Sequence, residues 1–163
     1  IRFAGSIDGA LADSYVFLAP FLHEDTPVNR PFPKNENRWK SAYGPRLLGL
    51  GVFNFFGITA FNDLPVIQYR IPAHNSEKFS SVYSYKLAEN FRPHKDYIRD
   101  IEGLKVPAIL FAGEGDRRFF AHAYQNELGK FSDNLSFEIV SGAGHSSMVL
   151  DEQVFQRIAM RLR

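Results

Sequence analysis

Two residues of this sequence stand where α/β sheets carry out chemistry. Asp116 follows the apolar run Pro107–Gly113 within GEGD, and His145 follows the run Leu135–Val140 within SGAGH. Ligands of open α/β sheets bind beyond the carboxyl ends of the strands. An acid and an imidazole at adjacent strand ends can form the orienting half of a nucleophilic triad. The carboxylate fixes the ring, and the ring takes a proton from a nucleophile and returns it to the leaving group. Each residue also has a plainer reading. Asp116 can cap a helix expected to begin near Arg118, since Asp is a preferred cap residue. His145 can be a loop histidine with a local hydrogen bond. Glu114, nearer the strand end, competes for the acid role.

Other candidates carry weaker patterns. Ser6 sits in AGSIDG, which resembles a nucleophile elbow G-x-S-x-G, but the register is wrong and no strand precedes it. Ser146 and Ser147 adjoin the histidine and are expected to cap the next segment. His23, His74, His94 and His122 lack metal-ligand spacing, so no metal is expected. With no P-loop and no G-x-G-x-x-G fingerprint, no nucleotide cofactor is expected either.

The elements that would position Asp116 and His145 can be read from hydrophobic periodicity. Ala108–Ala112 (AILFA) is apolar throughout, as in a parallel strand buried on both faces. Leu135, Phe137 and Ile139 alternate with Ser136 and Glu138, which suits a strand at the sheet margin. Phe120, Tyr124, Leu128 and Phe131 form a helical stripe between them. Val154, Phe155, Ile158, Ala159 and Leu162 mark a closing helix with Asp151 and Glu152 in its first turn. Ser14–Pro20 (SYVFLAP) reads as a further buried strand whose neighbour is Pro107–Gly113. Ile1 and Phe3 look like the end of a helix stopped by Gly5, followed by a Gly/Ser/Asp loop.

Between the strands, about 21–99 is far longer than a usual crossover and is expected to be a lid on one domain spanning 1–163. It holds a Pro-rich loop, one or two short helices over Trp39–Ile58, a short strand at Pro65–Pro72 and a helix over Ser80–Phe91. Asp96–Leu104 should be a short helix leading back to the sheet. The aromatics Trp39, Phe53, Phe55, Phe56, Tyr69, Tyr83 and Tyr85 either line an apolar substrate tunnel or pack the lid, with packing favoured for most.

Composition narrows the function classes. The 163 residues make one domain's worth of chain, 45% hydrophobic with sixteen Phe, enough to build a core. A net charge of +1 with interspersed signs gives no electrostatic case for nucleic acid. The absence of Cys excludes a disulfide framework, a thiolate metal site and a cysteine nucleophile. No apolar run approaches the ~20 residues that span a bilayer.

Together, VPAILFAGEGD, an intervening helix, SFEIVSGAGHSSM and a closing helix resemble the C-terminal half of an α/β-hydrolase. The similarity is strongest to serine hydrolases of the lysophospholipase and monoacylglycerol lipase type. SYVFLAPFL resembles the family's strand before the lid, and IRFAG the end of the nucleophile helix. The resemblance implies an α/β fold of parallel strands, flanking helices and a mainly helical lid, with Asp116 as triad acid and His145 as triad base. It also implies a small-molecule substrate, a carboxylic ester with an apolar acyl part. The family's first strands, oxyanion-hole loop and G-x-S-x-G serine have no counterpart here. The expectation is therefore a fragment of a larger hydrolase, partnered by the missing N-terminal half and inactive alone. Two alternatives stay open: a non-catalytic binding or scaffold protein, and a relative with an Asp nucleophile of the dehalogenase or epoxide-hydrolase kind.

Overall fold

The computed structural model describes residues 1–31, 40–71, 77 and 80–162. Trp39 and His74 lie outside the described residues. The chain divides into two compact units, Ile1–Phe32 with Pro93–Arg163, and Pro33–Arg92.

The first unit is a parallel sheet of three strands, β1 (Tyr15–Leu18), β5 (Ala108–Gly113) and β6 (Leu135–Val140), in the order β1-β5-β6. Tyr15 pairs with Ala108, and Ala108 with Leu135, so the three strands start together; β5 and β6 run past the end of β1 and finish in step at Gly113 and Val140. β5 lies in the middle, and its period-2 alternation fills two cores. Ala108, Leu110 and Ala112 join Phe17, Leu22, Val28, Ile101, Tyr124 and Leu128 on one face. Phe111 turns to the other face with Val140, Met148, Val154 and Ile158. Covering both faces explains why β5 is apolar at every position. β6 is the margin, and its Glu138 reaches Arg161 at 2.8 Å.

The helices of this unit begin where polar side chains can satisfy free amides. Asp96 accepts from the Arg99 amide at the start of α3 (Tyr97–Glu102), and Asp151 accepts from the Gln153 amide at the start of α6 (Glu152–Arg161). α4 (Ala123–Leu128) lies between β5 and β6, and α5 (Ser147–Leu150) directly precedes α6. Of the closing helix's apolar stripe, Val154 and Ile158 are buried while Phe155 and Leu162 stay largely exposed.

Two segments of this first unit differ from expectation. Ile7–Leu11 is a 3-10 helix rather than a loop, capped by the Ser6 hydroxyl, which accepts from the Asp8 amide. The helix expected from Arg118 begins only at Ala123. The Phe120 amide donates to Val28 O at 2.8 Å, and Asn29 bridges Phe119, so this backbone is already committed to a distant segment.

The second unit, in sequence between β1 and β5, holds an antiparallel sheet β2 (Lys40–Ala42), β3 (Pro65–Tyr69), β4 (Val82–Ser84) in the order β2-β3-β4. With it are α1 (Gly44–Phe55) and α2 (Tyr85–Phe91). α1 continues through two internal glycines, Gly49 and Gly51, as one helix, started by Pro45 in its first turn. Ser84 caps α2 by accepting from the Leu87 amide. The strand expected at Pro65–Pro72 is β3; β2 and β4 carry no apolar alternation of their own. Tyr69 and Tyr83 pack edge to face at 4.8 Å across the β3–β4 pair, and Phe91 packs on Tyr83. Phe53 packs on Phe61. Most of the insertion's described aromatics therefore have partners within their own unit.

Candidate active site

The carboxyl ends of β5 and β6 are stitched together by backbone. The Glu114 amide donates to Val140 O at 3.0 Å and the Gly115 amide to Ala143 O at 2.9 Å. At Gly113 a Cβ would stand 2.3 Å from Ala143 O, so only glycine allows the two strand ends to approach this closely. The second turn needs Gly142 at φ +74°, a left-handed conformation that glycine adopts freely. The Ser147 hydroxyl then locks it, accepting from the Gly144 amide at 2.6 Å and donating to Gly144 O at 2.9 Å.

These two turns deliver Asp116 and His145 to each other. His145 Nδ1 lies 2.9 Å from Asp116 Oδ2. The Asp116 side chain is 1% exposed and that of His145 37%. Asp116 Oδ1 accepts from the Arg118 amide at 2.7 Å and the Phe119 amide at 3.1 Å. Burial pushes this carboxyl up. The hydrogen bond from His145, the Arg118 amide, the charge of His145 and the Phe119 amide outweigh it, and together hold the carboxyl below its usual value. The carboxylate is thus ionised and can only accept, so the proton of this contact lies on His145 Nδ1; in that tautomer of the imidazole Nε2 is the acceptor. An imidazole so oriented can take a proton from a hydroxyl brought to Nε2.

The other candidates are placed elsewhere. The Glu114 carboxylate accepts from the Ser141 hydroxyl at 2.7 Å. Asp116 does not cap a helix; its two amide bonds close the turn beyond β5. Ser6 Oγ donates to Phe3 O. Ser147 is engaged with Gly144, and Ser146 occupies the cap position of α5 without a side-chain cap bond. No serine hydroxyl bonds to His145 among the described residues. His23 receives the Asp25 amide on Nδ1, and no group of three metal-ligating side chains gathers among the described residues.

Three features had no sequence signal. His94 Nδ1 lies 2.9 Å from the buried Asp100, forming a second His–Asp pair. It lines a cavity of about 580 Å³ with Arg2, Ser6 and Arg99, none of which belongs to the Asp116–His145 site. The Tyr124 hydroxyl donates to Pro20 O at 2.7 Å, and burial, with the Asp116 charge, pushes its ionisation far up. The Phe119 ring meets the His145 ring edge to face at 5.2 Å. Hydrophobic spacing did not single out Phe119, since the helical stripe begins at Phe120.

A parallel sheet flanked by helices, with an acid and a histidine beyond adjacent strand ends, defines an α/β-hydrolase-like fold. Solved structures of that kind share it. A candidate aryl esterase from Burkholderia cenocepacia superposes with a TM-score of 0.62 at 13% identity, over 98% of this chain and 57% of that one. The monoacylglycerol lipase of Paleococcus ferrophilus gives 0.57 at 15% identity, over 99% of this chain and 62% of that one. A candidate lipase from Acinetobacter baumannii AYE gives 0.50 at 16% identity, over 99% and 56%. The chain therefore has the α/β-hydrolase fold and spans roughly three fifths of the length of these structures. No family model and no curated protein matches the sequence.

Proposed function

We propose that this chain supplies the acid and base of a serine ester hydrolase. Asp116 orients His145 and stabilises the imidazolium, and His145 shuttles the proton between nucleophile and leaving group. The nucleophile is a serine of a G-x-S-x-G elbow in the part of the fold that the chain does not span. The single observation that carries the reading is the 2.9 Å contact of His145 Nδ1 with a buried Asp116 carboxylate at the carboxyl end of a parallel sheet. The substrate class is a carboxylic ester with an apolar acyl part. It rests on the resemblance of the motifs and on the esterase and lipase names of the structural neighbours. The insertion acts as the lid, and the missing N-terminal half is the partner that completes the site.

A protein extended to its upstream coding sequence tests this. It should hydrolyse p-nitrophenyl acyl esters and label covalently with a fluorophosphonate. His145→Ala should lower kcat by about 10⁴ or more, and Asp116→Asn by a similar order, as in other Ser-His-Asp sites. An upstream region with no elbow serine overturns the serine assignment. An Asp at the elbow turns the reading to the dehalogenase or epoxide-hydrolase kind, and no nucleophile there leaves a non-catalytic scaffold.

A further inference from the structure

Phe119 is held from both sides of the His–Asp pair. Its amide donates to Asp116 Oδ1 at 3.1 Å, while its ring lies edge to face on His145. It is 7% exposed and packs also on Tyr124 and Phe21. Its backbone is clamped by a segment some ninety residues away in sequence: Asn29 bridges Phe119 antiparallel, the Arg30 amide donates to Arg118 O at 2.9 Å, and the Phe120 amide donates to Val28 O at 2.8 Å. Arg30 adds its side chain. Nε donates to Phe119 O at 3.1 Å, and the guanidinium carbon sits 4.3 Å from the Phe120 ring centroid. Val28 is itself fixed in the core at 1% exposure.

We propose that Arg30 and Phe119 are positioning residues: the 28–30 strap holds Phe119 so that its ring keeps the His145 imidazole aligned on Asp116. The inference rests on the reading of Asp116 and His145 as a working acid–base pair. A ring lying edge-on to the imidazole limits its rotation about χ2, which a hydrogen bond at one nitrogen leaves soft. The clamp matters because a ring on a free turn could not restrain its neighbour. Arg30 acts through geometry here, since both of its bonds to the 118–119 turn end on carbonyl oxygens. A lysine cannot reproduce the Nε fork and the stacking of the guanidinium plane.

The test reads the His145 Nδ1 proton directly, by ¹H–¹⁵N NMR of the full chain, and needs no nucleophile. In the unsubstituted chain a downfield Nδ1–H resonance should be present, and Asp116→Asn should abolish it. Phe119→Leu, which keeps bulk but removes the ring, should raise its solvent exchange by about three- to tenfold, the weight of one net hydrogen bond. Phe119→Tyr should restore slow exchange. Arg30→Lys should act in the same direction as Phe119→Leu with a smaller effect, and it carries the test should the leucine variant unfold. Exchange unchanged in both Phe119→Leu and Arg30→Lys, with the Asp116→Asn effect intact, overturns the positioning role and spares the pair. A missing resonance in the unsubstituted chain overturns the His–Asp pair itself, and the strap's role with it.

Discussion

Asp116 couples the site's chemistry to the stability of the fold. Its carboxyl ionises more easily in the folded chain than in an unfolded one, where it would titrate near its ordinary value of 3.8. A depressed carboxyl contributes stability above its unfolded value and loses it as the pH falls through its folded value. Unfolding by urea, followed from about pH 6 down to about pH 3, should therefore show a loss of stability that begins near pH 4. Asp116→Asn should flatten that part of the curve, because an amide can still accept from Arg118 and Phe119 but carries no proton equilibrium. An unchanged acid limb in the variant would place the acid sensitivity on other carboxylates. Tyr97 offers an alkaline counterpart. Burial, the hydrogen bond to Glu127 and the Glu127 charge push its hydroxyl up to about 12. Absorbance titration should show a tyrosine class near that value which Tyr97→Phe removes. The sign is again fixed: a raised phenol stabilises the fold below its unfolded value and loses that contribution as the pH rises through about 12.

The elements divide into those that the sequence made legible and those settled by distant partners. β5 and β6 were legible because one is apolar on both faces and the other alternates, and their glycine-rich ends announced the two turns. The pairing of β1 with β5 followed from the same logic. The stripe Phe120, Tyr124, Leu128, Phe131 suggested a long helix, yet the backbone of 118–120 pairs with 28–30, and periodicity cannot register a bond across ninety residues. β2 and β4 are only three residues each and carry no period-2 signal, so an antiparallel sheet in the insertion was not readable. The Asp116–His145 contact itself depended on the turns: spacing offered two acids, and the geometry of Gly113–Gly115 turned Glu114 to Ser141 and Asp116 to His145. Gly113 tests that dependence. In Gly113→Ala the methyl would meet Ala143 O at 2.3 Å, and neither backbone can yield without parting the strand ends. The variant should lose about 1–3 kcal/mol in urea unfolding, the range for overpacked sites. It should also weaken the His145 Nδ1–H resonance. A stable variant with that resonance intact would show that the two turns are not rigidly joined.

For the whole molecule, the sheet order sets the consequence. β1 lies at one margin of the first unit's sheet with an edge that no strand pairs among the described residues, and Val16 is 38% exposed beside it. The residues leading into β1 add Phe3 at 56%, Ile7 at 82% and Leu11 at 82% exposure, three large apolar side chains within nine positions. An unpaired edge next to exposed apolar groups is the usual template for association with another chain. The structural neighbours extend well beyond the region shared with this chain, which fits an edge that the proposed N-terminal half would cover. The chain on its own should therefore self-associate as its concentration rises. Sedimentation velocity of Ile7→Lys/Leu11→Lys should show a shift toward monomer. Both side chains are solvated already, so the unfolding free energy in urea should change by no more than about 0.5 kcal/mol per substitution. Lysine is also the residue that natural sheets use to blunt edges, because pairing would strip water from its charge. Should the double variant associate as strongly as the unsubstituted chain, the sticky surface lies away from the β1 margin. The N-terminal half would then have to dock without these side chains.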